Sequence, residues 1–434
     1  MRETQRAQRE REPGLQASHL LRQSFTLSTL SSRRCFLVAA LLLFIADNLW
    51  LKNANSPITL SLVLIALAAA TLLLGIFNSR RSGDRTRGEW SVTGRRFFWA
   101  FVVVLLAWHV WHSCSQVRRF HPFIDVLPLQ TEATRALLHG VNPYTITHPA
   151  LYGAEMSRQY YPEGSVANGR LLLGFPYPPL CLLLDVPGEL LGDIRFSHIA
   201  AVAICAVFLA LMAGGWSDAV VVGFFVLNPH TELMELVGWV DSLMLVPLFA
   251  AVYAAKYRRW WLPVALGLFL CSKQYAVLGI FFVPILAGAA GRSTMRLYLQ
   301  SIGVAAAVTI PFALWDLPRF VHDTVLFQIH NPLMRDSLSF AVLFPIPLTV
   351  IVAVVLAAAI WTLRVGRVHA ALFSAGYALA LLLFVAANKQ AFLNYYYAVM
   401  QALLLAAVAL SGAPGQAGNG RAALAEAGID PVGE

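Results

Sequence analysis

Charge is scarce in this sequence. Asp, Glu, Lys and Arg make up 13% of its 434 residues, against about 25% in an average soluble domain. A soluble chain of this length would show helices with a polar face, and here whole turns have none, which excludes the soluble class. Cysteine is scarce too. The five are Cys35, Cys114, Cys181, Cys205 and Cys271. None forms a C-x-x-C pair, and all but Cys114 lie in or beside apolar blocks, so they read as small core hydrophobes rather than disulfide or metal partners. Signatures of soluble cofactors are missing: there is no G-x-x-x-x-G-K-[ST] loop, no G-x-G-x-x-G after a strand and no H-E-x-x-H. His109 and His112 are the one close histidine pair. Zinc usually draws on about three or four protein ligands, and Trp108 and Trp111 flank the pair, so it reads as part of an interfacial belt. No metal site and no cofactor are expected.

What the chain has is apolar length. Hydrophobic residues are 58% of the sequence and mean hydropathy is +0.64. They fall in blocks of about 15–25 residues, close to the roughly 20 that cross a ~30 Å hydrocarbon core. The expected fold is all-α, a polytopic transmembrane helical bundle of about 11–13 spans. The net charge of +9 is no sign of a nucleic-acid partner, because the arginines sit in short stretches between blocks, as cytoplasmic loops do.

The pattern divides the chain into four parts. Residues 1–34 form a polar, Arg-rich tail expected to be disordered and cytoplasmic, with no cleaved signal peptide. Residues 35–96 hold two extra spans and a basic loop. Residues 97–411 form the main membrane domain, and 412–434 a flexible tail. Both basic stretches belong inside, so a third span near 97–114 carries the chain out and the long segment 115–171 is external. Within it, 129–139 reads as an amphipathic helix with Leu129, Ala133, Ala136 and Leu137 on one face, Gly140 as its C′ residue and Asn142-Pro143 as its stop. Later blocks begin near 172, 196, 217 and 238. Basic loops at Lys256–Arg259, Arg292–Arg296 and Arg364–Arg367 require 260–290 to go out and return as two short helices, with Lys273 at the outer turn. That leaves one block too many between 172 and 254.

Polar groups in a bilayer need partners, so their clusters are functional candidates. Five fall on the external side: Phe123–Tyr144 with Asp125, FPYPPL at 175–180, NPHTELMELVGWVDS at 228–242, the loop at 315–337, and NKQAFLNYYY at 388–397. Lys273 joins them. The inside loops offer mostly arginine. This one-sidedness suits an enzyme working at the outer rim.

The order of these features is similar to the GT-C-type membrane glycosyltransferases, and most resembles glycosyltransferase family 87, the polyprenyl-phosphate-mannose-dependent mannosyltransferases. The resemblance rests on Asp125 after a span, then Gly140-Val141-Asn142-Pro143-Tyr144, then Tyr177-Pro178-Pro179-Leu180. It covers roughly residues 97–400, the first two spans standing outside it. It implies a polyprenyl-phosphate-linked sugar donor, transfer with inversion at the outer face to a lipid or glycan acceptor, and Asp125 as general base. Gly238, Asp241 and Lys273 occupy places equivalent to a further family pattern. In a bacterium this would be an inner-membrane protein with its site facing the periplasm.

Residue chemistry agrees with these roles. A carboxylate can take the acceptor's proton, and Phe123, Ile124, Val126 and Leu127 beside Asp125 would desolvate it. The bland alternatives are a loop solvation residue or a helix cap, and Asp125 stands about three residues early for an ideal cap, with Pro128 between. Arg335, Lys389 and Lys273 are candidates for the lipid phosphate, each with snorkelling as its plain alternative. Asp241 fits either substrate binding or a cap. Tyr177 opens a span, and Tyr144, Tyr160, Tyr161 and Tyr395–Tyr397 are first of all interfacial belt residues, with sugar stacking the sharper reading. Glu155 and Glu163 are lesser candidates for orienting an acceptor or holding a cation. Fixed cations would serve the leaving phosphate without a metal. The rivals are a transporter or lipid flippase, whose folds show internal repeats and polar residues at the midplane, and a lipid-linked glycan ligase or polymerase sharing the external site.

Overall fold

The computed structural model describes residues 31–52, 58–79, 90–287, 291–365 and 369–411. Most of the 1–34 tail, most of the loop from Arg80 to Arg96, and the 412–434 tail lie outside them. Among the described residues eight helices are long and apolar enough to cross a membrane. The protein is a multi-pass, membrane-integral α-helical bundle.

Three helices open it: α1 (Ser32–Lys52), α2 (Ile58–Asn78) and α3 (Val92–Val117). The last is capped by Ser91, whose hydroxyl accepts from Gly94 N–H. The segment after α3 carries α4 (Val126–Leu138), α5 (Ala154–Tyr160) and three two-residue antiparallel strands in the order β1-β3-β2, at His148–Pro149, Arg170–Leu171 and Val166–Ala167. Helix α4 starts three residues earlier than its pattern suggests, because Pro128 is tolerated in a first turn. It closes as expected of Gly140, which has φ +73°. Val141 N–H reaches Ala136 O at 2.8 Å and Gly140 N–H reaches Leu137 O at 3.0 Å, the paired bonds of a Schellman end.

The block near 172–192 is not a span. It forms α6 (Pro179–Leu190), 12 residues, or about 18 Å, too short for the hydrocarbon core. Both its ends stay at one end of the bundle. Its start adjoins the Lys273 turn, where Cys181 Sγ donates to Ser272 O. Its far end leads into Arg195, whose guanidinium donates to Val117 O at the last residue of α3 and to Phe120 O just beyond it. This removes the surplus block between 172 and 254.

Then come α7 (Arg195–Met212), α8 (Trp216–Leu227), α9 (Pro229–Val237) and α10 (Asp241–Tyr257). Helices α8 and α9 make one 22-residue apolar segment, broken where Pro229 lacks the N–H that would continue the ladder. Helix α11 (Leu262–Leu270) runs to Lys273. A 3₁₀ segment (Gln274–Phe282) and α12 (Val283–Ala287) run back, so that Arg259 donates to Leu286 O. Next are α13 (Arg292–Trp315), the short α14 (Leu317–Val321) and α15 (Phe327–His330), α16 (Leu348–Val365), α17 (Ala370–Ala387) and α18 (Leu393–Ala409). Helices α17 and α18 are the most enclosed, and Tyr377, Tyr396 and Tyr397 are fully buried. Tyr396 and Tyr397 are therefore core residues, not belt residues.

The two ends differ. At one, Arg33 pairs with Asp218 and donates to Ser217 and Ala407 O, while Lys256 donates to Ala409 O. This end is stitched shut. At the other lies a cavity.

Candidate functional site

The cavity has a volume of about 1120 Å³ and is walled by the start of α4, the tyrosines around α5, the Lys273 turn, residues 327–336 and the turn at 388–395. It exceeds a typical small-ligand pocket of about 300–1,000 Å³. Part of its wall is apolar, with Val277, Leu278, Leu333, Leu348, Ile351 and Phe384. Val277, Leu333 and Leu348 are themselves exposed, so the chamber opens between the 3₁₀ segment and α16.

Asp125 is half-buried at the first residue before α4 and lines the cavity. It holds the N-cap position, yet its carboxylate makes no cap bond. Instead Tyr161 Oη donates to Asp125 Oδ2 at 2.7 Å, and Asp125 N–H donates to Tyr152 Oη at 3.2 Å. Burial pushes the Asp125 carboxyl above the usual carboxylate range, and the Tyr161 and Tyr152 hydroxyls pull it part of the way back. The phenols are held neutral in turn. Burial, first, and the nearby Asp336 carboxylate push Tyr160 up to about 12, and burial with Asp125 pushes Tyr161 higher still.

Lys273 and Asp241 form the second polar corner. Lys273 Nζ lies 2.7 Å from Asp241 Oδ2. The carboxylate, fully buried, also accepts from Asn394 Nδ2 at 2.8 Å and from Tyr275 Oη. The ammonium sits 4.7, 5.1 and 5.7 Å from the ring centres of Tyr275, Tyr395 and Tyr177, within cation–π range. Lys273 lines the cavity and Asp241 stands behind it. Tyr177 joins the corners: burial raises its hydroxyl, and Asp125 and Asp241 both push it further.

The two short motifs of the external segment meet here. Phe175 N–H donates to Pro143 O at 3.1 Å, and Tyr144 Oη donates to Tyr177 O at 2.9 Å. Gly174 allows this approach, since a Cβ there would stand 2.6 Å from Asp323 Oδ2 and 2.7 Å from Pro143 O. Tyr144 is thus buried behind the wall, while Tyr177 is part of it. Gly238, with φ +76°, does the same for α4: a Cβ would lie 2.9 Å from Leu127 Cδ1, and Gln130 donates to Gly238 O.

Lys389 also lines the cavity. Its ammonium donates to Ile329 O, and its carbonyl accepts from Met334 N–H and Ser337 Oγ. Burial lowers the Lys389 ammonium from its ordinary value. Arg335 is exposed and not on the cavity wall. Its neighbour Asp336, which sequence reasoning passed over, faces the cavity and accepts from Tyr160 Oη at 2.6 Å. Tyr152, Tyr275, Gln274 and Asn394 were missed as well. Glu155 and Glu163 do not line the cavity.

The histidine pair also departs from the belt reading. His109 Nε2 lies 3.0 Å from Glu235 and His112 Nε2 lies 3.0 Å from Glu232, both on α9, while Trp108 stacks on His112. All five cysteines are free, and no cluster of metal-ligating side chains occurs among the described residues.

Fold and site together define a polytopic membrane protein with a mixed polar and apolar chamber at one end. No protein-family model, no curated protein and no solved structure matches the chain.

Proposed function

We propose that the protein is a membrane glycosyltransferase that moves a hexose, mannose by resemblance, from a polyprenyl-phosphate donor to a lipid or glycan acceptor at the outer membrane face. The observation that carries this reading is one chamber joining a desolvated carboxylate, Asp125, a buried cation, Lys273, and an apolar mouth through Leu333 and Leu348. A phosphate-linked sugar on a long apolar chain needs those three surroundings at once.

In this reading Asp125 takes the acceptor's proton as its oxygen attacks the sugar carbon with inversion. The C–O bond to phosphate breaks, and its electron pair leaves on the phosphate. Lys273 and Lys389 stabilise that developing charge. Asp241 holds the Lys273 ammonium in place, Tyr177 lies between base and cation, and the polyprenyl chain lies along Val277, Leu278 and Ile351. Arg335, exposed and off the chamber wall, has the place of a lipid-headgroup contact in this reading. The reading places the site on the periplasmic or exterior side.

The test is transfer in proteoliposomes from a panel of labelled polyprenyl-phosphate sugars. Turnover with one of them, dependent on an added acceptor, supports the transferase. No turnover with any, together with movement of the lipid across the bilayer, supports the flippase instead.

A further inference from the structure

Tyr152, Tyr160 and Tyr161 come from the segment between α4 and α6 and form a ring stack on the cavity wall. Tyr152 lies 5.5 Å from Tyr160 and 5.8 Å from Tyr161 between ring centres, and Phe123 packs edge-on against Tyr152. The stack is fixed at its two ends by Tyr161 Oη to Asp125 Oδ2 and Tyr160 Oη to Asp336 Oδ2, and in the middle by Tyr152 Oη, which accepts from Asp125 N–H. An ordinary belt tyrosine would turn its hydroxyl to the headgroups. Tyr160 and Tyr161 turn theirs to carboxylates that line the chamber.

We propose that Tyr161, braced by Tyr152, is the positioning residue for Asp125, holding Oδ2 so that Oδ1 is the oxygen presented to the acceptor. The inference rests on the transferase reading, in which Asp125 is the base. The acceptor O–H gives its proton to Oδ1 while its oxygen bonds the sugar carbon and the phosphate departs with the electron pair. Tyr161 keeps its own proton throughout, because its hydroxyl donates and does not ionise. A carboxylate free to rotate loses the alignment that a reacting pair needs, and a phenol donor on one oxygen removes that rotation.

The donor also favours the ionised form. The ionisable groups sharing Asp125's wall are Tyr152, Tyr160, Tyr161 and Tyr177, all phenols held neutral. Asp336 meets the stack at Tyr160, Lys273, paired with Asp241, lies over the Tyr177 ring, and Lys389 is the other cation of the chamber, while Glu132 on α4 is occupied by His148. Tyr161 makes the 2.7 Å bond to the Asp125 carboxylate and lowers it most among these groups, with Tyr152 beside it lowering it further. A base must be ionised, so activity is lost as pH falls through its pKa. Losing the donor raises that pKa and moves the acid limb to higher pH.

The experiment compares wild type, Tyr161→Phe and Tyr160→Phe, each as the full chain in proteoliposomes. Both variants keep their rings and hence the stack. One readout is the pH dependence of transfer, and the other is the infrared carboxyl band of Asp125, assigned by difference against Asp125→Asn. Tyr161→Phe is expected to raise the Asp125 midpoint by roughly one pH unit. Its transfer below that midpoint falls about tenfold, recovers at higher pH, and leaves the donor KM within about twofold. Tyr160→Phe, which touches Asp336 instead, keeps the wild-type midpoint. An unchanged infrared midpoint in Tyr161→Phe overturns the proposal. If the protein transfers no sugar, an infrared shift still upholds the tyrosine's hold on Asp125, and only the transferase reading falls.

Discussion

Asp125 and Asp241 lie at the same end of the bundle, close enough that Tyr177 feels both, yet their surroundings are opposite. Asp241 is fully buried and saturated, with Lys273, Tyr275 and Asn394 all donating to it. Asp125 is half-buried on the chamber wall, with neutral phenols and, among the described residues, no cation beside its carboxylate, Tyr161 donating at 2.7 Å and Tyr152 next to it. Asp241 already has an ammonium, a phenol and an amide as partners, which is the setting of a counter-ion. Asp125 has no cationic partner among the described residues and faces the chamber. The pair teaches which acid at this end suits a proton acceptor and which suits a counter-ion, a distinction that residue type alone does not make.

The sharpest way to break the contrast is to remove one partner of the saturated corner. Lys273→Met leaves Asp241 buried and uncompensated, so a loss of about 3–5 kcal/mol is expected, read as a lower unfolding temperature in detergent. Adding Asp241→Asn to Lys273→Met should restore most of it. A double variant as unstable as Lys273→Met alone would mean that the ion pair is not the source of the cost. Tyr161→Phe at the sparse corner should cost only about 1 kcal/mol, while moving the pH profile as described above. Arg335→Ala, on an exposed side chain outside the chamber, should change stability by less than about 0.5 kcal/mol and transfer by no more than about twofold. A large loss of transfer there would put phosphate recognition at the mouth rather than inside.

Much of the scaffold was legible because bilayer chemistry writes it in long apolar blocks. The return of the chain at Lys273 followed from basic loops on either side, and the end of α4 from Gly140. The block at 172–192 misled because an apolar composition does not reveal that a short helix lies along the rim, held by Arg195 and by α4. Site residues were legible where one residue type dictates the chemistry, as at Asp125 and Lys273. Partnerships were not: Tyr161 is 36 positions from Asp125 and Asn394 is 153 from Asp241, and no periodicity links them. Asp336 was hidden by Arg335, whose charge drew attention while the chain turned it outward. His109 and His112 looked interfacial because their carboxylates come from α9, more than a hundred residues on.

The proposed function stands on Asp125 as the proton acceptor in sugar transfer. The direct measurement is transfer from polyprenyl-phosphate mannose in proteoliposomes by wild type and Asp125→Asn, with donor binding measured on both. An active wild type, a loss of about 10²–10⁴ in the variant and unchanged donor binding are expected. Equal transfer by the two proteins would contradict this role and send the search for the base to Asp241 or Asp336.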